Sequence, residues 1–257
     1  MHFSFPDGNA VRINCRDSSA LLAAVRQRLQ DGQGFAIATI NVDHLQRLGE
    51  DAAFRRAYAA HDLICADGNP VVWLSRIAGR PVALAPGSDL VLPLAAEAAR
   101  AGLPVALIGS SDESLALAAQ SMQAAVPGLR VALTHAPGFP FDPMGEEAAA
   151  IIERIRASGA RLCFLALGAP RQELFAIRAR DRLGDVGFAS IGAGLDFLSG
   201  HQRRAPELLR RIKLEWLWRM LSNPRRLFLR YAKGFAILPG HVRRALAIRA
   251  EDNKTGK

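Results

Sequence analysis

Three short stretches of this chain put polar, reactive side chains where apolar runs stop. Residues 35–40 carry Thr39 and lead into Asn41 and Asp43; residues 63–66 lead into Asp67 and Gly68. Residues 162–167 lead into Gly168-Ala169-Pro170-Arg171-Gln172-Glu173. A carboxylate can take a proton, a hydroxyl can orient it, an amide both donates and accepts, and a guanidinium pairs with phosphate oxygens. Polar groups at the carboxyl ends of neighbouring parallel strands are where open α/β sheets hold ligands, so Thr39 and Asp67 are expected to face one pocket. From these residues alone the competing reading stays open: a turn at Asp67-Gly68, with Thr39 as a helix cap.

Glycines mark further candidate subsites. Gly109-Ser110 follows the apolar run 103–108 and opens a helix, a suitable seat for phosphate or ribose oxygens. Gly138 sits in Pro137-Gly138-Phe139 after another run, and Gly192-Ala193-Gly194 follows a last one. The last pair lacks the third glycine of a dinucleotide fingerprint, since position 197 is Phe, which disfavours a nicotinamide or flavin enzyme. No histidine or cysteine spacing suits zinc, and there is no DxD, no GxSxG elbow and no P-loop. No metal and no cofactor are expected. Positive charge for a bound diphosphate must then come from helix N-termini and arginines.

The elements that must position these groups follow from periodicity. A short strand pair around Phe3–Phe5 and Val11–Ile13, turning at Pro6-Asp7-Gly8-Asn9, precedes a helix from Ser18 or Ser19. One helical crossover, with Leu45, Leu48, Phe54, Ala57 and Tyr58 on its inner face, joins the strands at 35–40 and 63–66. Helices are expected at 69–78, from a Gly87-Ser88-Asp89 cap to about Ala101, around Leu115 to Met122, and at 146–158. Strands are expected at 103–108, 129–134, 162–167 and 187–191. This alternation predicts an α/β chain, a Rossmann-like, mostly parallel sheet with helices on both faces, over residues 1–198.

From residue 199 to 257 the composition changes. Arg203, Arg204, Arg210, Arg211, Lys213, Arg219, Arg225, Arg226, Arg230, Lys233, Arg243, Arg244 and Arg249 are interleaved with Trp216, Trp218, Leu221, Phe228 and Phe235. The pattern predicts a basic, amphipathic helical appendage suited to an anionic membrane surface; a solvated face and a nucleic-acid patch are the alternatives. The net charge of +9 agrees with an anionic partner of some kind. Cys15, Cys65 and Cys163 are scattered in apolar surroundings, as expected of reduced thiols in a cytoplasmic protein. Neither a signal peptide nor a spanning helix is expected from the hydropathy.

Taken in order, Thr39-x-Asn41, Asp67-Gly68, Gly87-x-Asp89-Leu90, Ile108-Gly109, Pro137-Gly138-Phe139, Leu167 to Glu173, Gly192-x-Gly194, Arg204-Ala205-Pro206, Leu214 to Arg219 and Asn223 to Arg226 resemble the WecG/TagA/CpsF family of bacterial glycosyltransferases. The resemblance implies inverting, metal-independent transfer of a hexose from a UDP-sugar to a polyprenyl-diphosphate-linked sugar in surface polysaccharide synthesis. It places the protein peripherally at the cytoplasmic face of the inner membrane, with no nucleic acid as partner and a homo-oligomer compatible. The gum-type, exopolysaccharide glucosyltransferases are similar enough to rank glucose ahead of N-acetylmannosamine as donor sugar.

By the same resemblance Asp67 is the general base, beside Thr39 and Asn41, and Gln172 belongs to the site. Gly68, Gly109, Ser110, Gly138, Gly168, Arg171, Glu173, Gly192, Gly194 and Arg204 are the residues expected to line the substrates, and the resemblance adds Arg219, Arg226 and Arg230 as those meeting the diphosphate. Relatives tend to carry an arginine shortly before the segment matching Gly87, where this chain has Leu84-Ala85-Pro86. The reading from another class is a non-catalytic nucleotide- or nucleic-acid-binding module with a basic tail.

Overall fold

In the computed structural model of the chain the described residues are 1–202, 218 and 224–255, with the backbone alone for 224–231 and 255. Six strands form one parallel sheet: β3 (Phe35–Ile40), β4 (Leu63–Ala66), β5 (Val105–Gly109), β6 (Val131–His135), β7 (Leu162–Ala166) and β8 (Gly187–Ser190). They lie side by side in the order β4-β3-β8-β7-β5-β6. A separate antiparallel hairpin pairs β1 (His2–Ser4) with β2 (Ala10–Arg12). The expected Rossmann-like sheet with helices on both faces is present.

Five of the six strands are apolar and buried on both sides, as parallel strands under two helical layers must be. Side chains alternate between layers. Ile37, Leu107, Phe164 and Ala189 pack beneath α1 (Ser18–Gln30), α5 (Gly87–Arg100) and α6 (Asp112–Ala125). Ala36, Ile108, Leu165 and Phe188 pack beneath α7 (Glu146–Ser158) and α8 (Arg171–Arg182). β6, at the edge, alternates between half-buried and exposed positions.

The single crossover expected between β3 and β4 is two helices, α2 (Val42–Glu50) and α3 (Ala52–Ala59). Asp51 ends the first and caps the second, its carboxylate accepting from Phe54 N at 3.0 Å. Apolar periodicity does not register such a break, because the inner face continues across it. α4 (Asn69–Ile77) follows Gly68 directly, with Pro70 in its first turn, where a missing N–H costs nothing. α5 begins at Gly87 behind Pro86, without the side-chain cap expected from Ser88 or Asp89.

Chain connectivity opens the sheet at two places along its carboxyl edge. After β5 the chain runs outward to β6, whereas after β7 it returns inward to β8. After β3 it runs outward to β4, whereas after β8 it turns into α9 (Gly194–Leu198), which packs on α5 and α6. Loops part at such points and leave room for a ligand.

The C-terminal helix α10 (Pro224–Thr255) packs on α2 and α4. Ala245 is wholly buried there, and Gly234 lies so close to Val42 that a Cβ would stand 2.9 Å from its Cγ1. Arg80 holds Asp252 through two hydrogen bonds of 2.8 and 2.6 Å. Away from this contact Lys233, Arg243, Arg244 and Arg249 are exposed together with Phe235 and Leu246. Among the described residues no helix is long and apolar enough to cross a membrane.

Candidate functional site at the carboxyl edge of the sheet

The register of β3 on β4 sets Thr39 opposite Cys65 and Ile40 opposite Ala66, so the chain leaves both strands at one level. Asp67 N donates to Ile40 O at 2.8 Å, and Thr39 Oγ1 donates to Asp67 Oδ2 at 3.2 Å. The hydroxyl and carboxylate singled out in the sequence are therefore in contact. Thr39 is 5% exposed, whereas Asp67 keeps some access to solvent. Thr39 caps no helix; that task falls to Asn41, whose Oδ1 accepts from His44 N at 3.0 Å. Asn41 nevertheless borders the pair, since a Cβ on Gly68 would come within 3.7 Å of its own Cβ.

Gly68 takes φ 125°, a backbone conformation that favours glycine, and α4 starts immediately after it. The first residue of α5 closes the other side. A Cβ on Gly87 would stand 3.3 Å from Thr39 Oγ1 and 3.2 Å from Ile191 O, so any side chain there would enter the space above Thr39. Two helix N-termini, with their positive dipole ends, thus open at the Thr39–Asp67 pair. Leu84 bridges to Ala66 and is exposed beside the same strand end.

Below the pair is a buried polar support. Tyr58 Oη donates to Thr39 O at 2.8 Å, and His44 Nδ1 reaches the same carbonyl at 2.8 Å and Tyr58 Oη at 3.1 Å. Burial, followed by the acidic side chains Glu173, Cys65 and Asp67 nearby, holds the Tyr58 hydroxyl well above its ordinary pKa. In the sequence Tyr58 registers only as one member of an apolar face, and His44 only as a histidine without a metal partner.

Ile191 leads into Gly192, whose N–H donates to Gln172 Oε1 at 3.3 Å, and Gln172 Nε2 donates to Glu173 Oε1 at 2.8 Å. Gln172 is therefore joined to the loop bordering Thr39 through Gly87 and Ile191. Glu173 is completely buried, and its Oε2 has no hydrogen-bond partner. Desolvation raises its carboxyl from 4.5 to about 7, against the lowering pull of the Gln172 hydrogen bond and the Arg47 charge. With no exposure, the Glu173 side chain does not line the opening, contrary to the expectation that it touches substrate; its hydrogen bond runs to Gln172.

The second opening, between β5 and β7, is made largely of backbone. A Cβ on Gly109 would lie 2.4 Å from Ala166 O, so only glycine fits where the two strands draw together. Ser110 follows with φ 53°, its N–H on Ala166 O and its hydroxyl bonded to Asp196. Asp196 also accepts from Ser114 at 3.1 Å and from Gln202 at 3.0 Å, tying this loop to α9. Asp196 carries no sequence signal of its own, being a single carboxylate after a glycine pair.

Gly168, at φ 72°, leaves space over which the Arg171 guanidinium folds; that group lies 5.9 Å from the centroid of the Phe139 ring, which is 90% exposed. The N–H of Gly138 is taken by Glu147 Oε1 at 2.7 Å. Gly194 serves packing: a Cβ there would meet Val91 Cγ2 at 2.8 Å, and the residue is buried between α9 and α5. Arg204 and Arg219 lie outside the described residues, and Arg226 and Arg230 lie where the backbone of α10 alone is described. Among the described residues no three His, Cys, Asp or Glu side chains gather as metal ligands. The sequence profile of the Glycosyl transferase WecG/TagA/CpsF family matches residues 9–252.

Proposed function

The chain belongs to the Glycosyl transferase WecG/TagA/CpsF family, and on that premise we propose that it moves a hexose, glucose or of N-acetylmannosamine type, from a UDP-sugar to a polyprenyl-diphosphate-linked sugar with inversion. The observation that carries this reading is the hydrogen bond from Thr39 to Asp67 at the mouth of the parallel sheet. Asp67 is the general base and Thr39 orients its carboxylate. The acceptor hydroxyl oxygen attacks the anomeric carbon as its proton passes to Asp67. The bond from that carbon to the diphosphate oxygen breaks on the opposite face, and UDP leaves with the electron pair.

Charge growing on the diphosphate calls for donors already in place. The helix N-termini behind Gly68, Gly87 and Gly168, the Gly109-Ser110 loop and the Arg171 guanidinium are suited to this, without a metal. Gln172 orders the loop at Gly192 and offers the donor sugar its remaining N–H. Arg204, Arg219, Arg226 and Arg230 are assigned to the acceptor diphosphate. The exposed basic and apolar residues of α10 support peripheral docking on an anionic bilayer at the cytoplasmic face of the inner membrane.

Asp67→Asn is the decisive variant. It keeps the shape of the side chain and removes the proton acceptor, so transfer to a synthetic lipid-diphosphate sugar should fall by about 10²–10⁴ while UDP affinity stays near wild type. Transfer at the wild-type rate by Asp67→Asn would remove the base. Tight binding to duplex DNA at about 0.2 M salt, with no co-sedimentation on anionic vesicles, would favour the nucleic-acid alternative instead.

A further inference from the structure

Burying a carboxyl with one oxygen unpartnered, as at Glu173, costs free energy that a leucine or methionine of similar size would not. What the carboxyl does, and an apolar residue cannot, is accept a hydrogen bond. A primary amide has nearly the same shape in either orientation, so Gln172 by itself could turn its NH2 toward the Gly192 N–H, donor against donor. A neighbour that accepts removes that choice. Gln172 Nε2 is drawn to Glu173 Oε1 at 2.8 Å, which leaves Gln172 Oε1 to accept from Gly192 N at 3.3 Å. A carboxylic acid whose proton sits on the unpartnered Oε2 still offers Oε1, so the bias holds whether or not the group is charged.

We infer that Glu173 is a positioning residue: through one buried hydrogen bond it fixes which way the Gln172 amide faces, and so which Gln172 atom meets the donor sugar. The inference rests on the placing of Gln172 in the glycosyl-transfer site.

NMR of the full chain, labelled with side-chain ¹⁵N-glutamine, reads the amide directly. In the wild type the Gln172 NH2 pair should be dispersed and slow to exchange with water. In Glu173→Met it should collapse toward the shifts of a free glutamine, and in Glu173→Gln, whose amide imitates the protonated acid, it should persist. In the transfer assay Glu173→Met should lower kcat by about tenfold, the worth of one buried hydrogen bond, with UDP affinity retained, and Glu173→Gln should restore most of it. In a Gln172→Ala background Glu173→Met should cost nothing further.

An unchanged Gln172 amide pair in Glu173→Met would overturn the inference, as would an equal loss of kcat in both backgrounds. Should Glu173→Met fail to fold, Gln172→Glu, which sets carboxyl against carboxyl, should transfer more slowly than Gln172→Ala; equal rates would also overturn it. A locked Gln172 amide in a wild-type chain that transfers no sugar would refute the glycosyl-transfer reading and leave standing only the orienting of Gln172 by Glu173.

Discussion

The two openings along the carboxyl edge of the sheet are built from different materials. Between β3, β4 and β8 the chemistry is in side chains, Thr39, Asp67 and Gln172, held from below by Tyr58, His44 and Glu173. Between β5 and β7 it is in the backbone, where Gly109 and Ser110 leave the β sheet in left-handed conformations and Asp196 secures the loop. A proton acceptor must be a titratable group at one defined point, so a site that takes a proton needs supported side chains. A seat for a diphosphate needs many N–H groups close to an anion, and glycine lets the main chain come that near.

That contrast can be broken by mutation, and the heaviest blow falls on the backbone side. Gly109→Ala sets a Cβ 2.4 Å from Ala166 O at φ 121°. The clash and the strained backbone together should lower stability by about 3 kcal/mol or more, seen as an earlier urea midpoint and lost UDP binding. Asp67→Asn, on the side-chain region, should melt close to wild type. A stable Gly109→Ala beside an unstable Asp67→Asn would reverse the comparison.

The pH dependence of stability sharpens it next. Glu173 titrates at about 7 in the folded chain against 4.5 unfolded. Between those values the folded state keeps a proton that the unfolded state has released, so stability falls as pH rises through this window and the loss is complete above it. The shift corresponds to about 3 kcal/mol as an upper figure. Urea denaturation at pH 5 and pH 9 should show this decline in the wild type and a flatter response in Glu173→Gln; parallel curves would remove the buried-acid argument.

The smallest effect belongs to Tyr58→Phe, which deletes one donor to the Thr39 carbonyl while keeping the ring. A loss of about 1 kcal/mol in stability is expected, with slower transfer and unaltered UDP affinity. Weakened UDP binding in this variant would mean that the two openings are not separable.

The parallel sheet was legible because its strands are apolar on both sides and end in polar or glycine residues, and that same signal brought Thr39 and Asp67 together across a whole crossover. The break at Asp51 was hidden, since one residue both ends α2 and caps α3 without disturbing the apolar face. Glu173 belongs to the Gly168–Glu173 motif expected to line the substrates, yet it is buried, and that burial depends on how α8 packs against α3 and β3, which spacing does not encode. Gly194 was read as a ligand glycine and is there for helix contact. Tyr58 and His44 went unread because their partner is a main-chain carbonyl, and main-chain carbonyls leave no mark in a sequence.

That carbonyl has a further consequence. With the Tyr58 hydroxyl and the His44 ring both directed at Thr39 O, His44 must carry its hydrogen on Nδ1, and both lone pairs of the oxygen are engaged. The peptide after Thr39 is thereby held in one orientation by two side chains, so this wall behaves as a fixed gauge. Redesign of ligand preference is better directed at the opposite bank, where the exposed Leu84 side chain can be lengthened or trimmed.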